Sequence, residues 1–524
     1  MTHSAPTRTA RRIPEASTWA ALYARAQALA PDALGADGHV RNLTHGRWQA
    51  TGEPRRTVSP VDGAALASLP MLSAADARAA VEAAAQEHAT WSTVPLDERR
   101  ARVADAVNRI EAQRDLLAQL LIWEIGKPYR QALTSVDRTV SGVRWYLEHI
   151  DEMLTGRAPL GLISNIASWN YPLSVLVHAM LVQALAGNAV IAKTPTDGGL
   201  VALTLAVALA REAGLPFSLV SGSGAQLSEA LVRHPDVAAL AYVGGKSNGR
   251  DIAAALVDRS KRYMLEMEGV NAYGVWDFSD WALLEQHLKK GYEYGKQRCT
   301  AYARFVVQRA LFPQFLETYL RVAPTLTVGH PLLATEDGQL PDVDFGPLIN
   351  AQKVEELQAR IEEATTRGAV PIYAGTLDPA NFLPGQDVRA YIAPTALLAP
   401  PRGTALYHAE PFGPVDTFVL VDSVDDLITE MNVSNGNLVA TIATDDARVA
   451  DEVFARSRAY KVGHNVLRSR GDREETFGGL GESWTGAFVG GALLVQAVTV
   501  GQPGERLAGN FPEYSLLPGR ARRP

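Results

Sequence analysis

Apolar positions in this 524-residue chain change their rhythm twice. Up to Gly156 the pattern is mostly helical. A short amphipathic helix is predicted over 16–30, an Ala-rich one over 75–90 and one long helix over 96–125. The last of these is stopped by Gly126-Lys127-Pro128, and a further helix covers 134–154. Between 42 and 70 the pattern is instead one of short strands broken by turns such as Ser59-Pro60-Val61-Asp62-Gly63. After Gly156, compact apolar runs at 160–166, 188–192, 217–220 and 237–243 read as buried strands, with helices predicted over 174–186 and 200–213. Strands alternating with helices of this length predict an α/β fold with a parallel, doubly wound sheet. The alternation resumes after Gly269, with a helix at 281–294, a strand at 303–308 and a helix at 351–367, which predicts a second α/β unit. A late apolar run, Leu493 to Val500, reads as a strand.

Length alone argues for roughly three domains. With 47% hydrophobic and 20% charged residues, the composition is ordinary for a globular protein. A net charge of −7 without a long Lys/Arg run argues against nucleic-acid binding. No apolar stretch is long enough to span a membrane. Arg8, Arg11 and Arg12 precede the first acid, Glu15, but no apolar segment follows as in a secretory signal. The start is therefore read as a solvated leader and the location as cytoplasmic.

The chemistry begins with Cys299, the single cysteine, which excludes an intramolecular disulfide framework. Its neighbours Lys296 and Arg298 predict an electropositive, partly open setting that favours the thiolate. A small core residue is the competing reading. Open α/β sheets bind ligands beyond the carboxyl ends of their strands, and three short elements fall there. Trp169-Asn170-Tyr171-Pro172 offers a side-chain amide, or merely a turn and helix cap. Lys193-Thr194-Pro195-Thr196 is a charged, hydroxyl-bearing turn suited to a ribose. Tyr242-Val243-Gly244-Gly245 lets backbone approach a pyrophosphate at a helix start. Gly245-Lys246-Ser247 is not a P-loop, because Leu240 stands where that motif needs glycine. No His/Cys constellation suits a metal. Gly481-Glu482-Ser483-Trp484-Thr485 lacks the last glycine of a nucleophile elbow.

Taken together, Gln297-Arg298-Cys299, Glu266 in Leu265-Glu266-Met267-Glu268-Gly269, and Asn170 resemble the catalytic set of the aldehyde dehydrogenase superfamily. The separation of Glu266 from Cys299 along the chain is close to the family's usual one. Glu410-Pro411-Phe412-Gly413-Pro414, Gly346-Pro347-Leu348-Ile349 and Phe477-Gly478-Gly479 with Ser483 and Gly486 resemble further family segments, in the right order over about 41–500. The departures mark a divergent branch. Ser168 replaces a common Pro, Glu268 a Gly, Tyr294 an Asn and Lys296 a Gly. Gly245 replaces a phosphate-contacting Ser, a loss that Lys246 is expected to offset, and Thr196 replaces the ribose-binding Glu.

The resemblance implies a Rossmann-like cofactor domain at 41–135 and 158–266 and a catalytic domain at 267–465. It implies also a small β oligomerisation element at 136–157 and 488–515, behind an N-terminal extension at 1–40. An apolar edge strand at 493–500 would seek a partner strand, so a homodimer or homotetramer is expected. It further implies that Cys299 attacks a small-molecule aldehyde, that Asn170 and the Cys299 N–H hold the oxyanion, and that Glu266 activates water to release a carboxylic acid. NAD or NADP would lie against Trp169, Lys193, Thr196, Gly244, Gly245, Glu410 and Phe412. Thr196, neutral and short, is expected to admit NADP at least as well as NAD, unless Asp197 takes its place. Arg298 and His178 would line the substrate entry, Arg298 favouring aldehydes with an anionic end unless it points to solvent or pairs with Glu268. A CoA-acylating enzyme or a catalytically silent structural relative is the alternative. Retention of both Cys299 and Glu266 argues against each.

Overall fold

Four of the apolar runs, joined by a fifth strand that the pattern did not predict, Arg262–Met267, lie side by side in the computed structural model, which describes residues 12–256, 261–335, 338–470 and 473–511. Phe217–Val220, Ala189–Lys193, Leu162–Ile166, Val237–Gly244 and Arg262–Met267 are neighbours in that order, and all run parallel. Antiparallel additions, Asn42–Thr44 and Arg47–Gln49 at one side and Trp484–Ala487 and Gly509–Asn510 at the other, complete a nine-stranded sheet. Successive strand residues face opposite layers. Leu162 packs with Ala77, Ala80 and Val81 of the helix Ala74–Trp91. Ile163 belongs to the core on the other side, which holds the helix Leu200–Glu212. The strand order reverses between Leu162–Ile166 and Val237–Gly244, and such a reversal opens a crevice at the carboxyl ends.

A second, seven-stranded sheet runs Val370–Ala374, Thr395–Leu398, Val415–Val421, Arg304–Gln308, Ala272–Val275, Asn437–Ala443 and Ala459–His464. Only its first strand is antiparallel. The strand pattern for both α/β units is thus borne out.

Three expected elements differ. The helix predicted over 96–125 is two, Leu96–Ala112 and Arg114–Ile125, because Gln113 leaves helical geometry at φ −104° and ψ 22°. The first is amphipathic, whereas Leu116 through Ile125 are buried on every side, so a bend must turn the second into the core. The helix predicted from Ser174 starts as a wide π-type turn, Pro172–Val177, before the α-helix His178–Leu185. The run at 493–500 is not a long strand. It is helical over Gly491–Ala497, and only Thr499–Val500 is extended, pairing with Ala158–Pro159. Leu494, Val495 and Val498 are buried at helical spacing, a pattern that a short, mostly apolar run does not reveal.

Of the N-terminal extension, residues 1–11, with Arg8 and Arg11, lie outside the described residues, as do residues 512–515 of the proposed C-terminal element. The amphipathic helix predicted over 16–30 is present as Trp19–Leu29 and packs on the core. Leu22 and Ala26 of the helix Trp19–Leu29 are fully buried, and the Trp19 indole N–H donates to the Leu66 carbonyl at 2.9 Å. The Trp123 indole N–H donates to the Ser17 carbonyl, also at 2.9 Å. Leu22→Ala should therefore cost about 2–5 kcal/mol, as for a core leucine. Chemical denaturation checks this, and a loss below about 0.5 kcal/mol, typical of surface changes, would detach the segment from the core.

Candidate active site

The crevice at the strand reversal receives the turn after Ile166 and the Gly244-Gly245 turn that opens the helix Lys246–Leu256. The second sheet closes it with the turn before Arg304–Gln308 and with the segment 410–412. A cavity of about 240 Å³ results, which brings together Trp169, Asn170, Gly244, Gly245, Glu266, Cys299, Glu410 and Phe412, with Glu268 and Lys353.

The turn carrying Cys299 is built from unusual backbone. Tyr294, Gly295 and Lys296 take φ values of 58°, 58° and 59°. Such a left-handed run disfavours side chains. Side-chain bonds hold it. The buried Lys296 Nζ lies 2.6 Å from Asp416 Oδ1 and donates to the Tyr302 carbonyl at 2.8 Å. Tyr292 and Tyr319 hydroxyls donate to Asp416 Oδ2 at 2.6 and 3.0 Å. Gln297 ties the turn to the Gly346-Pro347-Leu348-Ile349 segment, donating to the Pro347 carbonyl and accepting from the Ile349 N–H, each at 3.0 Å. Asn271 Nδ2 donates to the Cys299 carbonyl at 2.7 Å.

The electropositive setting expected for Cys299 is absent. Burial pushes the thiol well above its ordinary range, and the Glu266 and Glu410 carboxyls push the same way, with Arg470 opposing. The reason is where the nearby cations point. Lys296 is turned onto Asp416. Arg298 neither faces solvent nor pairs with Glu268. Its guanidinium donates to the Gly291 carbonyl at 2.9 Å, at the end of the helix Trp281–Gly291, where the carbonyl dipoles suit a cation. Its Nε is buried and has no partner among the described residues.

Asn170 is buried at the mouth of this turn. One Nδ2 hydrogen is donated to the Gln297 carbonyl at 3.0 Å, which leaves the second free. The amide is held in that orientation because Ser168 Oγ donates to its Oδ1 at 2.5 Å. From behind, Lys127 Nζ donates to the Asn170 carbonyl at 2.9 Å. Glu266 lies near the end of the strand Arg262–Met267. Its Oε2 accepts from Arg470 Nη1 at 2.9 Å, while Oε1 is buried and unpartnered among the described residues. Both oxygens of Glu410 are likewise buried without a partner there, and burial beside Glu268 drives that carboxyl's pKa well up. Such a group calls for hydroxyl donors, and a ribose diol supplies them, so the residues present fit a nicotinamide ribose. Phe412, at φ 50°, meets Trp169 edge-on with ring centroids 5.8 Å apart. Gly244 is required locally, because a Cβ there would collide with the Tyr242 hydroxyl, whereas Gly245 has open space.

Four expected residues lie outside this cavity. Lys193 is buried on its own turn, donating to the Thr194 carbonyl at 2.9 Å, and its pKa is drawn down to about 8 by burial. Thr196 stands on the same turn and is exposed. His178 is kept neutral, its pKa lowered to about 4 by burial and by Arg470, and packs edge-on against Tyr146. Arg298 is placed as above. Lys246 does not offset the missing hydroxyl, since its Nζ is bound to the Ser434 carbonyl at 3.2 Å and lies 3.4 Å from Glu482. Among the described residues no group of His, Cys, Asp and Glu side chains is placed to hold a metal ion.

Comparison with known proteins agrees with this geometry. The family model described as aldehyde dehydrogenase family matches residues 48–500. The chain belongs to the aldehyde dehydrogenase family. It is similar to the D-glyceraldehyde dehydrogenase (NADP(+)) of Picrophilus torridus, with 26% identity over 79% of this chain and 85% of that one. With the non-phosphorylating aspartate-semialdehyde dehydrogenase of Halomonas elongata it shares 28% over 84% and 90%. The solved NADP-dependent glyceraldehyde-3-phosphate dehydrogenase of Bacillus halodurans C-125, complexed with NADP, superposes with a TM-score of 0.79 at 25% identity. That match covers 88% of this chain and 97% of the other.

Several residues escaped the family motifs. Arg470, in Leu467-Arg468-Ser469-Arg470, carries no local signal, and only the fold brings it to Glu266. Asn271, shortly after the Glu268-Gly269 pair, and Lys353, at the start of the helix Ala351–Thr366, were equally silent.

If the thiol is held protonated as described, alkylation of Cys299 by iodoacetamide in the cofactor-free protein should rise about tenfold per pH unit from about pH 6 to 9 without levelling. Mass spectrometry of timed samples checks this. A plateau already reached below about pH 7 would mean a resting thiolate.

Proposed function

We propose that this enzyme oxidises aldehydes with an anionic far end to carboxylic acids, using NADP at least as well as NAD. The observation that carries the reaction is the meeting of Cys299, the free Glu266 Oε1 and the spare Asn170 N–H in one buried cavity. Glu266 takes the thiol proton through Oε1, the oxygen that Arg470 leaves free. The sulfur then attacks the carbonyl carbon, a C–S bond forms, and the π electrons move to oxygen. That oxyanion is met by the second Asn170 N–H and by the Cys299 backbone N–H, which has no acceptor among the described residues. A donor of this kind is worth about 2.7–4 kcal/mol in the transition state. Bound NAD or NADP supplies the hydride acceptor that converts the thiohemiacetal into a thioester. Glu266 releases the first proton to solvent and, ionised again, removes a proton from water; the hydroxide attacks the thioester, the C–S bond breaks, and the acid departs as Cys299 regains its electrons.

The anionic end is supported by three arginines from separate elements. Arg138 and Arg298 both act on the Tyr171 phenol, drawing it down against burial, while Arg470 acts on Cys299 and His178. Arg138 is exposed and makes no ion pair among the described residues. The relative in Halomonas elongata, an aspartate-semialdehyde dehydrogenase, and the solved glyceraldehyde-3-phosphate enzyme both bear names of anionic aldehydes, which fits. The reading includes a cytoplasmic location, supported by the composition and by the finding that no helix among the described residues is long and apolar enough to cross a membrane. It includes also a homodimer or homotetramer, for which the short strand Thr499–Val500, with Val500 exposed, offers an edge.

Glu266→Gln should slow both the burst of reduced cofactor and the turnover after it, because the amide can take neither the thiol proton nor a proton from water. Stopped-flow absorbance separates the phases, and a burst at the wild-type rate followed by slow turnover would show that Glu266 serves the hydrolysis alone. Across aldehydes of equal length, wild-type kcat/KM should favour a terminal carboxylate or phosphate, and Arg138→Met should reduce that preference about tenfold to hundredfold. Equal efficiency toward neutral and anionic aldehydes in the wild type would remove the anionic assignment.

A further inference from the structure

Beside Lys193 and Thr196 stands a cation that comes from a distant part of the chain. The hairpin of Glu53–Val58 with Ala65–Met71 projects Arg55 across to the turn, where its Nη2 lies 3.1 Å from Asp197 Oδ1. Lys193 feels both members of this pair. Arg55 adds to the downward pull of burial on its pKa and Asp197 opposes it, so the three charges form one patch. Protonated Lys193, Arg55 and Asp197 together leave that patch net positive. The Arg55 side chain is 39% exposed, and its other guanidinium N–H groups have no partner among the described residues.

This arrangement bears on which adenosine ribose the turn accepts. Asp197 by itself would accept a ribose hydroxyl and repel a phosphate. Paired with Arg55 its charge is offset, and the guanidinium retains a fork of donors suited to two phosphate oxygens. The pairing also holds a long side chain over the turn, which lowers the ordering cost on binding. We propose that Arg55 selects NADP by binding the 2′-phosphate of its adenosine ribose, with Asp197 positioning it. The proposal rests on the reading that the turn Lys193–Thr196 receives the adenosine half of the cofactor.

The test uses cofactor fragments on the full chain and reads binding, not turnover. Calorimetry with adenosine 2′,5′-bisphosphate and with 5′-AMP isolates the 2′-phosphate. The wild type should bind the bisphosphate more tightly. Arg55→Gln should weaken the bisphosphate about tenfold to hundredfold, as expected for a lost charge-assisted hydrogen bond, and leave 5′-AMP within about twofold. Arg55→Lys, which keeps the charge without the fork, should fall between. Thermal melting of each variant confirms that the fold is retained. A bisphosphate affinity unchanged within about twofold in Arg55→Gln overturns the role of Arg55 while leaving the turn as the adenosine site. Failure of the wild type to bind either fragment overturns both.

Discussion

Everything at this site depends on the buried ion pair between Lys296 and Asp416. Three residues just before the nucleophile sit in left-handed backbone, and two of them, Tyr294 and Lys296, carry side chains. Each such residue costs roughly 1–2 kcal/mol. Breaking a buried pair by removing one partner typically costs about 3–5 kcal/mol, because the other charge is left bare. Here Asp416 has its second oxygen filled by two tyrosine hydroxyls, so the lysine is held on a fully bonded carboxylate. Loss of either partner would thus leave a bare buried charge under a turn that already carries two left-handed side chains. The pair fixes the height of Gln297, whose carbonyl orients Asn170 and whose amide locks the Pro347–Ile349 segment. The nucleophile, the oxyanion donor and the wall of the cofactor cleft share that one anchor.

The same anchor explains the electrostatics. Because Lys296 faces Asp416 and Arg298 faces helix-end carbonyls, neither cation lowers the thiol. Cys299 is left between burial and carboxylates, which keeps it protonated, and Glu266 beside it provides the place for the proton to go. A latent thiol with a local base is less exposed to stray oxidation than a standing thiolate. Arg470 completes the arrangement by occupying one oxygen of that base and leaving the other open.

Much of this was legible in the chain. The parallel strands were visible as compact apolar runs bounded by turns, and the cavity residues Asn170, Glu266, Cys299, Glu410 and Phe412 follow from ordered motifs. Side-chain direction was not legible. Flanking Lys296 and Arg298 look alike in sequence, and only tertiary partners decide that both turn away from sulfur. The strand at 493–500 failed for a different reason. A short, mostly apolar run fits helix and strand alike, and packing against the helix Tyr129–Leu154, whose Tyr146 hydroxyl donates to the Gly491 carbonyl, selects the helix. The bend at Gln113 was hidden because both halves are good helix by composition.

The departures from the family pattern now read as a coupled set instead of scattered drift. Ser168, where Pro is common, supplies the hydroxyl that orients the Asn170 amide. Lys296, where Gly is common, accepts the left-handed backbone and adds the ionic clamp. Tyr294, where Asn is common, donates its hydroxyl to the Ile125 carbonyl and offers a ring face to Lys127. Lys127 itself is fully buried and bonded to Ser135 and the Asn170 carbonyl, with aromatic faces of Tyr171 and Tyr294 in place of a carboxylate. Burial and the nearby Arg138 and Arg298 drive its pKa far down. Each replacement thus tightens the segment that presents Asn170 or the segment that presents Cys299. The two segments meet at the hydrogen bond from Asn170 to the Gln297 carbonyl and at the edge-on contact of Trp169 with Tyr294.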